Sequence, residues 1–502
     1  MQHSGVGRAG RGKFAWGCIL LFVVGASSSA HAQAVSSGLF WAFERPIDIT
    51  DTREFAVTPT VGLLETFTDN AGLLPTNKKA DVITRPVVGA DLDVRSGSVT
   101  ATVSGHVFYD AYASEGNSSG FGADATGTGS YVLVPDFLSV DGQGIFANTN
   151  GSTFGTPATD RVGTGSRVEL STYNIGPHLT TTLDDFADLD VVGRFAQVFY
   201  STPAGSTFNV PTASTFEQGL ASLDTGDRYG GYESLSNGQY QRDDHGFEAY
   251  SGMQSFFVRV VPQVRIIGRG GYDDVVQPGI VNIKAPIWSG GVEVTINEQS
   301  KLTVETGERF NHSAWAADLH LQISDALYAV GSYNETLEPP QIQFSSSFVN
   351  FVAASAQVPV GVAAPTFSVN GNLDNQTSLN KIASVRVVYD WEGQSLEYSA
   401  NWDDRFLFLA NAHDRTLLNV VTYERNLEPD LDFNAGLTYW RTFANPFFGA
   451  SDLYGGTVGL RYQLNPTMRL AGGYVYQRQQ QLFTNGTTIS ENVVFAAIAK
   501  SF

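Results

Sequence analysis

The chain has 502 residues, of which 42% are hydrophobic and only 16% are charged, and its formal net charge is −20. The acidic balance argues against nucleic-acid binding, which needs a basic surface. The single cysteine excludes a disulfide framework or a cysteine-based metal cluster within one chain. A mean hydropathy of −0.09 is too polar for a bundle of membrane-spanning helices. Abundant glycine and aromatic residues, combined with low charge, are typical of a transmembrane β-barrel.

The amino terminus has the features of a secretory signal peptide. Three basic residues precede an apolar run over 14–26, which is too short to span a bilayer as a helix. A small-x-small site follows, so cleavage is predicted after Ala32 and removes Cys18, the only cysteine. The sequence predicts a signal peptide over 1–32, a periplasmic segment over 33–54 and an outer-membrane barrel over 55–502.

From residue 55 onward the sequence alternates between apolar and polar residues in segments of about ten residues, as the strands of a membrane barrel do. Within 396–403, for example, apolar side chains hold the even positions, and Glu397 and Asp403 hold odd ones. The pattern predicts an all-β, antiparallel, up-and-down barrel of about 20 strands, with 16 or 18 as alternatives. Short turns after every second strand place both termini in the periplasm. One predicted strand ends at residue 200 and the next begins at residue 243, with 201–242 as a connection.

The polar face of these strands is expected to line a lumen. Barrels of 16 to 18 strands enclose an aqueous channel, and larger ones are hydrated or filled by other segments. The candidates for filling are 33–54, 201–242 and 337–376. Acidic residues exceed basic ones on the polar face, which favours neutral or cationic permeants, although solvated loop charge explains much of the acidity equally well. The predicted lumen-lining residues are Asp318, His320, Arg386, Asp390, Glu397, Asp403, Asp432, Arg461 and Arg469.

Catalysis has less support in the sequence. Asp318 with His320, and Asp243 with His245, share a strand face at a spacing of two residues, so either pair could activate water or a serine. This spacing is common by chance, and ordinary polar residues of the lumen or rim explain it. Acidic clusters such as Asp273-Asp274 match no known calcium loop. The sequence therefore predicts no enzymatic activity, no cofactor and no metal site.

Several short motifs resemble one known family. A proline at Pro59 in the first strand is followed by Phe67-Thr68-Asp69-Asn70, then by Lys79-Ala80-Asp81 and by Pro86 in the second strand. Asp136-Phe137 and Gly176-Pro177-His178-Leu179 are similar to the same group. This order resembles the outer-membrane porins associated with exopolysaccharide and PEP-CTERM systems. The resemblance implies a barrel linked to polysaccharide production or export, and it brings no catalytic residues.

Three functional hypotheses follow. The leading one is a passive porin-like conduit in the bacterial outer membrane that serves exopolysaccharide export or secretion. The second is a non-conducting structural or assembly protein with a filled lumen, and the third is an outer-membrane hydrolase. The partners expected are outer-membrane lipid, the barrel-assembly machinery, and polysaccharide or small polar solutes, without nucleic acid.

The last residue provides a test of assembly. Phe502 ends an alternating strand, and by resemblance to other porins with a terminal phenylalanine it is the signal that barrel-assembly machinery recognises. Removal of Phe502 is expected to reduce membrane insertion far more than removal of residues 33–37. The measurement is the yield of heat-modifiable protein in the membrane fraction, and equal yields from the two truncations would contradict the prediction.

Overall fold

The computed structural model describes residues 55–150, 161, 167–201, 213–339, 342, 377–444, 449–482 and 486–502. Within them, 22 antiparallel strands form one sheet in which each strand pairs with its neighbours along the chain. The last strand also pairs with the first, so the sheet closes into a barrel. The predicted fold class is confirmed.

The strands are β1 Phe55–Thr68, β2 Asp81–Arg95, β3 Val99–Tyr112, β4 Gly120–Val134, β5 Leu138–Asn150, β6 Arg167–Leu183, β7 Ala187–Ser201, β8 Ser214–Asp224, β9 Tyr232–Asp243, β10 Glu248–Val261, β11 Val264–Gln277, β12 Val281–Asn297, β13 Ser300–Arg309, β14 His312–Ser324, β15 Leu327–Glu338, β16 Ser378–Trp391, β17 Gln394–Leu407, β18 Ala412–Glu428, β19 Leu431–Thr442, β20 Ala450–Asn465, β21 Met468–Leu482 and β22 Thr488–Ser501. Two short 3₁₀ turns occur at Gly116–Ser118 and Gly226–Arg228.

The seam between β1 and β22 closes the sheet. It runs from the pair Thr60 and Ser501 to the pair Thr68 and Val493. Beyond it, the backbone N–H of Phe502 donates to the carbonyl oxygen of Pro59 at 3.0 Å. A closed sheet has no edge strand, so its backbone groups are paired without water, as a bilayer requires.

The two faces of each strand differ in exposure. On β22, Val494 is 53% exposed, whereas its neighbour Phe495 is 5% exposed. A side chain on the outside of a lone barrel meets no protein beyond the wall, so side chains that are buried lie on the inner face. Exposed apolar side chains such as Leu437 and Val458 therefore mark the outer face. The alternation predicted from the sequence is the alternation between these faces.

Part of the inner wall is apolar. Phe495 and Val493 of β22 belong to a buried cluster that extends along β18–β22 and β1–β3, and it includes Leu64, Trp440 and Phe108. In this region the inner face therefore carries large apolar side chains as well as polar ones. Apolar groups that face a lumen are buried only where other protein atoms cover them. Charged side chains such as Arg85 and Arg461 lie on these same strands, and a second buried apolar cluster includes Phe216 of β8 and Val275 of β11, so apolar and polar side chains share the inner wall.

Two strands lie where the sequence predicted a connection. β8 covers 214–224 and β9 covers 232–242 of the predicted connection, so these parts belong to the wall, whereas 202–212 lie outside the described residues. The reason lies in their outer faces, where Glu217, Gly219, Ser236 and Gly238 replace the apolar residues that period-two analysis detects. β8 and β9 add an even number of strands to the predicted count. The start of β1 and the end of β22 therefore still lie at the same end of the barrel.

The other predicted filling segments, 33–54 and most of 337–376, lie outside the described residues, as does the signal peptide. Among the residues that are described, no helix is long and apolar enough to cross a membrane.

The turns at the two ends of the barrel differ. Connections after even-numbered strands are short, whereas the longest ones, 69–80, 151–166, 202–213 and 339–377, follow odd-numbered strands. At the short-turn end, Arg228 in the β8–β9 connection donates to Asp188 of β7 at 2.6 Å, and this hydrogen bond raises the pKa of the Arg228 guanidinium. The contact fixes the end of the β8–β9 hairpin against β7.

Candidate functional site

The candidate site is the polar part of the inner wall. Four of the predicted lumen-lining residues form two ion pairs there. Arg386 of β16 donates from Nε and Nη2 to the two carboxylate oxygens of Glu397 on β17, both at 2.8 Å. Arg461 of β20 donates from Nη2 to Oδ2 of Asp432 on β19 at 2.7 Å. Both pairs bridge adjacent strands, and bidentate geometry of the Arg386 type fixes the orientation of the guanidinium.

The predicted pair Asp318 and His320 differs from these two ion pairs. Asp318 and His320 of β14 share the inner face, where His320 lies in register with Lys301 of β13. Among the described residues, no hydrogen bond joins Asp318 to His320. The pair therefore lacks the contact that general base catalysis needs.

Three more predicted residues differ in exposure. Asp390 is exposed near the short-turn end of β16, whereas Asp403 of β17 and Arg469 of β21 are buried. Their place on the inner face agrees with the predicted alternation. Their role in permeation stays a prediction.

A charged network that sequence analysis did not single out lies on β9 to β13. Arg265 of β11 contacts Glu233 of β9 on one side and Glu293 of β12 on the other, at 3.3 Å for the latter. Lys301 of β13 binds the second oxygen of Glu293 at 2.7 Å. The network therefore links four strands, β9, β11, β12 and β13, through alternating charges.

Two further arginines continue this charged wall. Arg269 donates from Nε and Nη2 to both oxygens of Glu305, at 2.6 Å each. Arg309 of β13 donates to Asp273 of β11 at 3.1 Å. Arg265, Arg269 and Asp273 are separated by even numbers of residues along β11, and this spacing indicates from the sequence that they share one face of the strand. Which carboxylate each arginine meets depends on the strand register, which alternation does not reveal.

A histidine on the inner face is held between two carboxylates. Nδ1 of His178 lies 3.0 Å from Oδ2 of Asp141, and Nε2 lies 3.0 Å from Oδ2 of Asp190. Both ring nitrogens must carry protons to donate to ionised carboxylates, so this arrangement favours the imidazolium form. The contact joins β5, β6 and β7. Because neither ring nitrogen is left to accept a proton, the geometry supports a bridging role rather than general base catalysis.

One residue from a connection also reaches the inner wall. Nη2 of Arg161, between β5 and β6, lies 2.6 Å from Oε1 of Glu491 on β22, and the two side chains are only 4% and 1% exposed. Glu491 also accepts hydrogen bonds from Thr68 and Gln477. Because strands β1 to β4 separate β22 from β5 around the wall, Arg161 extends across the interior to make this contact. Sequence patterning gave no signal for it.

The most deeply buried ion pair joins β2 and β3. Arg85 and Asp110 are 2% and 0% exposed, and Arg85 donates from Nε and Nη2 to the two oxygens of Asp110 at 2.5 and 2.9 Å. The guanidinium also lies 4.3 Å from the centre of the Phe108 ring. Cation–π contact and bidentate pairing together offset the cost of desolvating the two charges.

Metal binding has no candidate in the part of the chain that is described. Within these residues, no group of three or more histidine, cysteine, aspartate or glutamate side chains is arranged to hold an ion. Several acidic side chains of the inner wall instead contact arginine and lysine.

Known proteins include solved structures that are similar to this chain but no matching family. No family model matches the chain, and no curated protein matches its sequence. Solved structures that are similar include a ferric enterobactin receptor (PfeA) mutant from Pseudomonas aeruginosa, with a TM-score of 0.47, 10% identity, and coverage of 89% of this chain and 80% of that one.

Two further similar structures are also receptors or transporters. The siderophore receptor PirA from Acinetobacter baumannii has a TM-score of 0.49, 8% identity, and coverage of 89% and 80% of the two chains. The FrpB iron transporter from Neisseria meningitidis has a TM-score of 0.48, 11% identity, and coverage of 93% and 83%. The strand register of this chain shows the closed barrel independently of these similar structures.

The buried ion pair gives a prediction about stability. Arg85→Met removes the partner of a buried carboxylate, and we expect a loss of about 3–5 kcal/mol because Asp110 then stays buried without its bidentate donor. The measurement is the urea midpoint of the refolded barrel in detergent. The matched control is Arg95→Met, which breaks the exposed pair with Asp93 and is expected to cost less than about 1 kcal/mol. Equal losses in the two variants would contradict the assignment.

Proposed function

We propose that the protein is a bacterial outer-membrane barrel that conducts small polar solutes along the charged part of its inner wall. The observation that supports this proposal is the division of one closed sheet into two faces. Large apolar side chains are exposed on the outside, and the networks around Arg265 and Arg386 lie on the inside. An apolar outer belt suits lipid, because an ionised lysine or arginine at the middle of the bilayer would cost about 2–4 kcal/mol.

The direction of the barrel follows from its turns. Outer-membrane barrels have short periplasmic turns and longer external loops, so the short-turn end is assigned to the periplasm. Both ends of the described sheet, at Phe55 and Phe502, then lie on the periplasmic side. This orientation agrees with a predicted signal peptide that delivers the chain to the periplasm before insertion.

The charge of the inner wall supports a preference for cations. Near the short-turn end, carboxylates outnumber cationic side chains on the inner face of the strands, and rings of carboxylates favour cation passage. The carboxylates are Asp91, Asp93, Asp141, Asp188, Asp190, Asp224, Glu233, Glu293, Asp318, Asp390, Glu397, Glu424 and Asp432, and the cations are Arg95, Arg194, Arg259, Arg265, Lys301, Arg386, Arg461 and Arg469.

Planar-bilayer recording tests conduction and selectivity separately. The refolded full barrel is expected to give stepwise conductance, and a KCl gradient is expected to give a reversal potential with the sign of a cation-preferring pore. The double variant Asp390→Asn with Glu424→Gln is expected to shift that potential toward zero, because it removes two inner-wall charges. Glu308→Gln, in register with the exposed Trp288 on the outer face of β12 and β13, is the control and is expected to leave it unchanged. A silent barrel would refute conduction.

A second candidate is a non-conducting structural or assembly protein. The buried apolar region along β18–β22 and β1–β3 and the Arg161 contact with Glu491 favour it, because both indicate protein atoms inside the barrel. This candidate predicts no conductance from a correctly folded barrel, together with an envelope defect in a deletion strain.

The link to polysaccharide rests on the sequence resemblance alone. No feature of the described inner wall distinguishes a polysaccharide from another polar solute. A deletion strain that loses extracellular polysaccharide, and regains it with the wild-type gene, would support the link. Unchanged polysaccharide in that strain would remove it.

A further inference from the structure

The outer face of β18 to β22 carries a surplus of basic side chains at the long-loop end of the barrel. They are Lys78, His413, Arg415, Arg441 and Arg478, and we call them the basic rim. Arg441 follows the exposed Leu437 on the same face of β19, and the register places Arg415 of β18 and Arg478 of β21 on that face too. This surplus contrasts with the net charge of −20 that the whole chain carries.

The opposite side of the barrel has the reverse balance of charge at the same end. On the outer face of β8 to β13, the acidic side chains there are Glu217, Glu248, Asp274 and Glu308, and the basic ones are Arg242 and Lys284. Nζ of Lys284 also lies 2.8 Å from Oδ2 of Asp274, so its charge is paired. The surplus of cations is therefore specific to β18 to β22 and the connection that follows β1.

Two cations of the basic rim converge on Ser490 of β22. Arg478 lies opposite Ser490 in register, at a spacing that brings cross-strand side chains into contact. Nζ of Lys78 donates to Oγ of Ser490 at 2.7 Å and to its carbonyl oxygen at 2.9 Å. Asp69 is held by Asn492 through hydrogen bonds of 2.8 and 2.6 Å. Among the described residues, neither Arg478 nor Lys78 forms an ion pair.

The cations on β18 and β19 share few carboxylates. Asp404 contacts both Nδ1 of His413 at 2.6 Å and Nε of Arg415 at 3.1 Å, and these two side chains are each 44% exposed. Asp452 accepts from a tyrosine hydroxyl group at 3.2 Å and lies 3.8 Å from Nε of Arg441. The guanidinium groups of Arg415 and Arg441 therefore keep donors that can bind an anion at the surface.

Aromatic side chains indicate the depth of the basic rim in the membrane. The guanidinium carbon of Arg441 lies 5.1 Å from the centre of the Phe443 ring. Tyr454 is in register with both Arg478 and Tyr439, and the two tyrosine rings are 5.2 Å apart. Outer-membrane barrels carry such aromatic girdles where the apolar band meets the headgroups. The basic rim is therefore level with the lipid headgroups at the long-loop end.

We infer that the basic rim binds an outer-leaflet lipid whose headgroup carries phosphate groups. Lys78, Ser490 and Arg478 hold one phosphate, and Arg415 with Arg441 hold a second, because guanidinium groups match the geometry of phosphate oxygens. β19 and β21 are two strand spacings apart, about 10 Å, so the two positions can serve one headgroup. This inference rests on the proposed membrane location and orientation, and it is independent of whether the lumen conducts.

Lipid binding to the refolded full barrel tests the basic rim. Native mass spectrometry in detergent measures the affinity, with diphosphoryl lipid A and phosphatidylcholine as the probes. The wild type is expected to prefer diphosphoryl lipid A by about tenfold or more. Lys78→Gln with Arg478→Gln is expected to lower that affinity by about tenfold or more, because it removes both cations beside Ser490, and to leave phosphatidylcholine binding unchanged.

A second double variant is the matched control. Lys79→Gln with Lys284→Gln removes the same charge from the same end of the barrel, but these lysines are paired with Glu115 and Asp274. It is expected to change the affinity for diphosphoryl lipid A by less than about twofold. Heat modifiability confirms that both double variants fold.

Three results would overturn the inference. They are equal affinity of the wild type for the two lipids, equal losses in the two double variants, and displacement of diphosphoryl lipid A by an equal concentration of inorganic phosphate. Planar-bilayer recording separates this inference from the proposed function. A barrel that inserts and conducts without preferring the phosphorylated lipid contradicts the basic rim alone, whereas a silent barrel that prefers it contradicts conduction alone.

Discussion

Backbone hydrogen bonding in the absence of water is the constraint on which the rest of this structure depends. Each strand must find its partners within the sheet, and the seam between β1 and β22 provides the last set. Once the sheet is closed, every side chain points either outward or inward. The apolar outer face and the charged inner wall are both consequences of that division.

The inner wall shows how charges are accommodated in such a barrel. Cationic side chains share carboxylates between strands. Arg265 lies between Glu233 and Glu293, and Lys301 contacts Glu293 from the next strand. These networks join neighbouring strands that already share backbone hydrogen bonds, so they stiffen the wall as well as polarise it. The apolar region on the other side, around Phe495, indicates that the interior is not uniform.

Much of this architecture could be predicted from the sequence because lipid imposes a strict period of two. That period identified the inner positions of Arg386, Glu397, Asp432 and Arg461 without any knowledge of the register. It could not identify their partners, since the pairing of Arg265 with Glu233 depends on how β9, β10 and β11 align. Contacts from connections, such as that of Arg161, follow no period at all.

The same argument explains why β8 and β9 were missed. Period-two analysis detects contact with lipid, and strands whose outer faces hold Glu217, Ser236 and Gly238 do not show it. Only the register with β7 and β10 places β8 and β9 in the wall.

The pairing of Phe502 with Pro59 also has a consequence for biogenesis. The first strand to leave the ribosome cannot complete its hydrogen bonds until the last residue has been synthesised. Contacts of such long sequence separation form slowly and leave strand edges open in the meantime. The edges of β1 therefore stay unpaired until β22 is available, and a chain that lacks β22 cannot close its sheet.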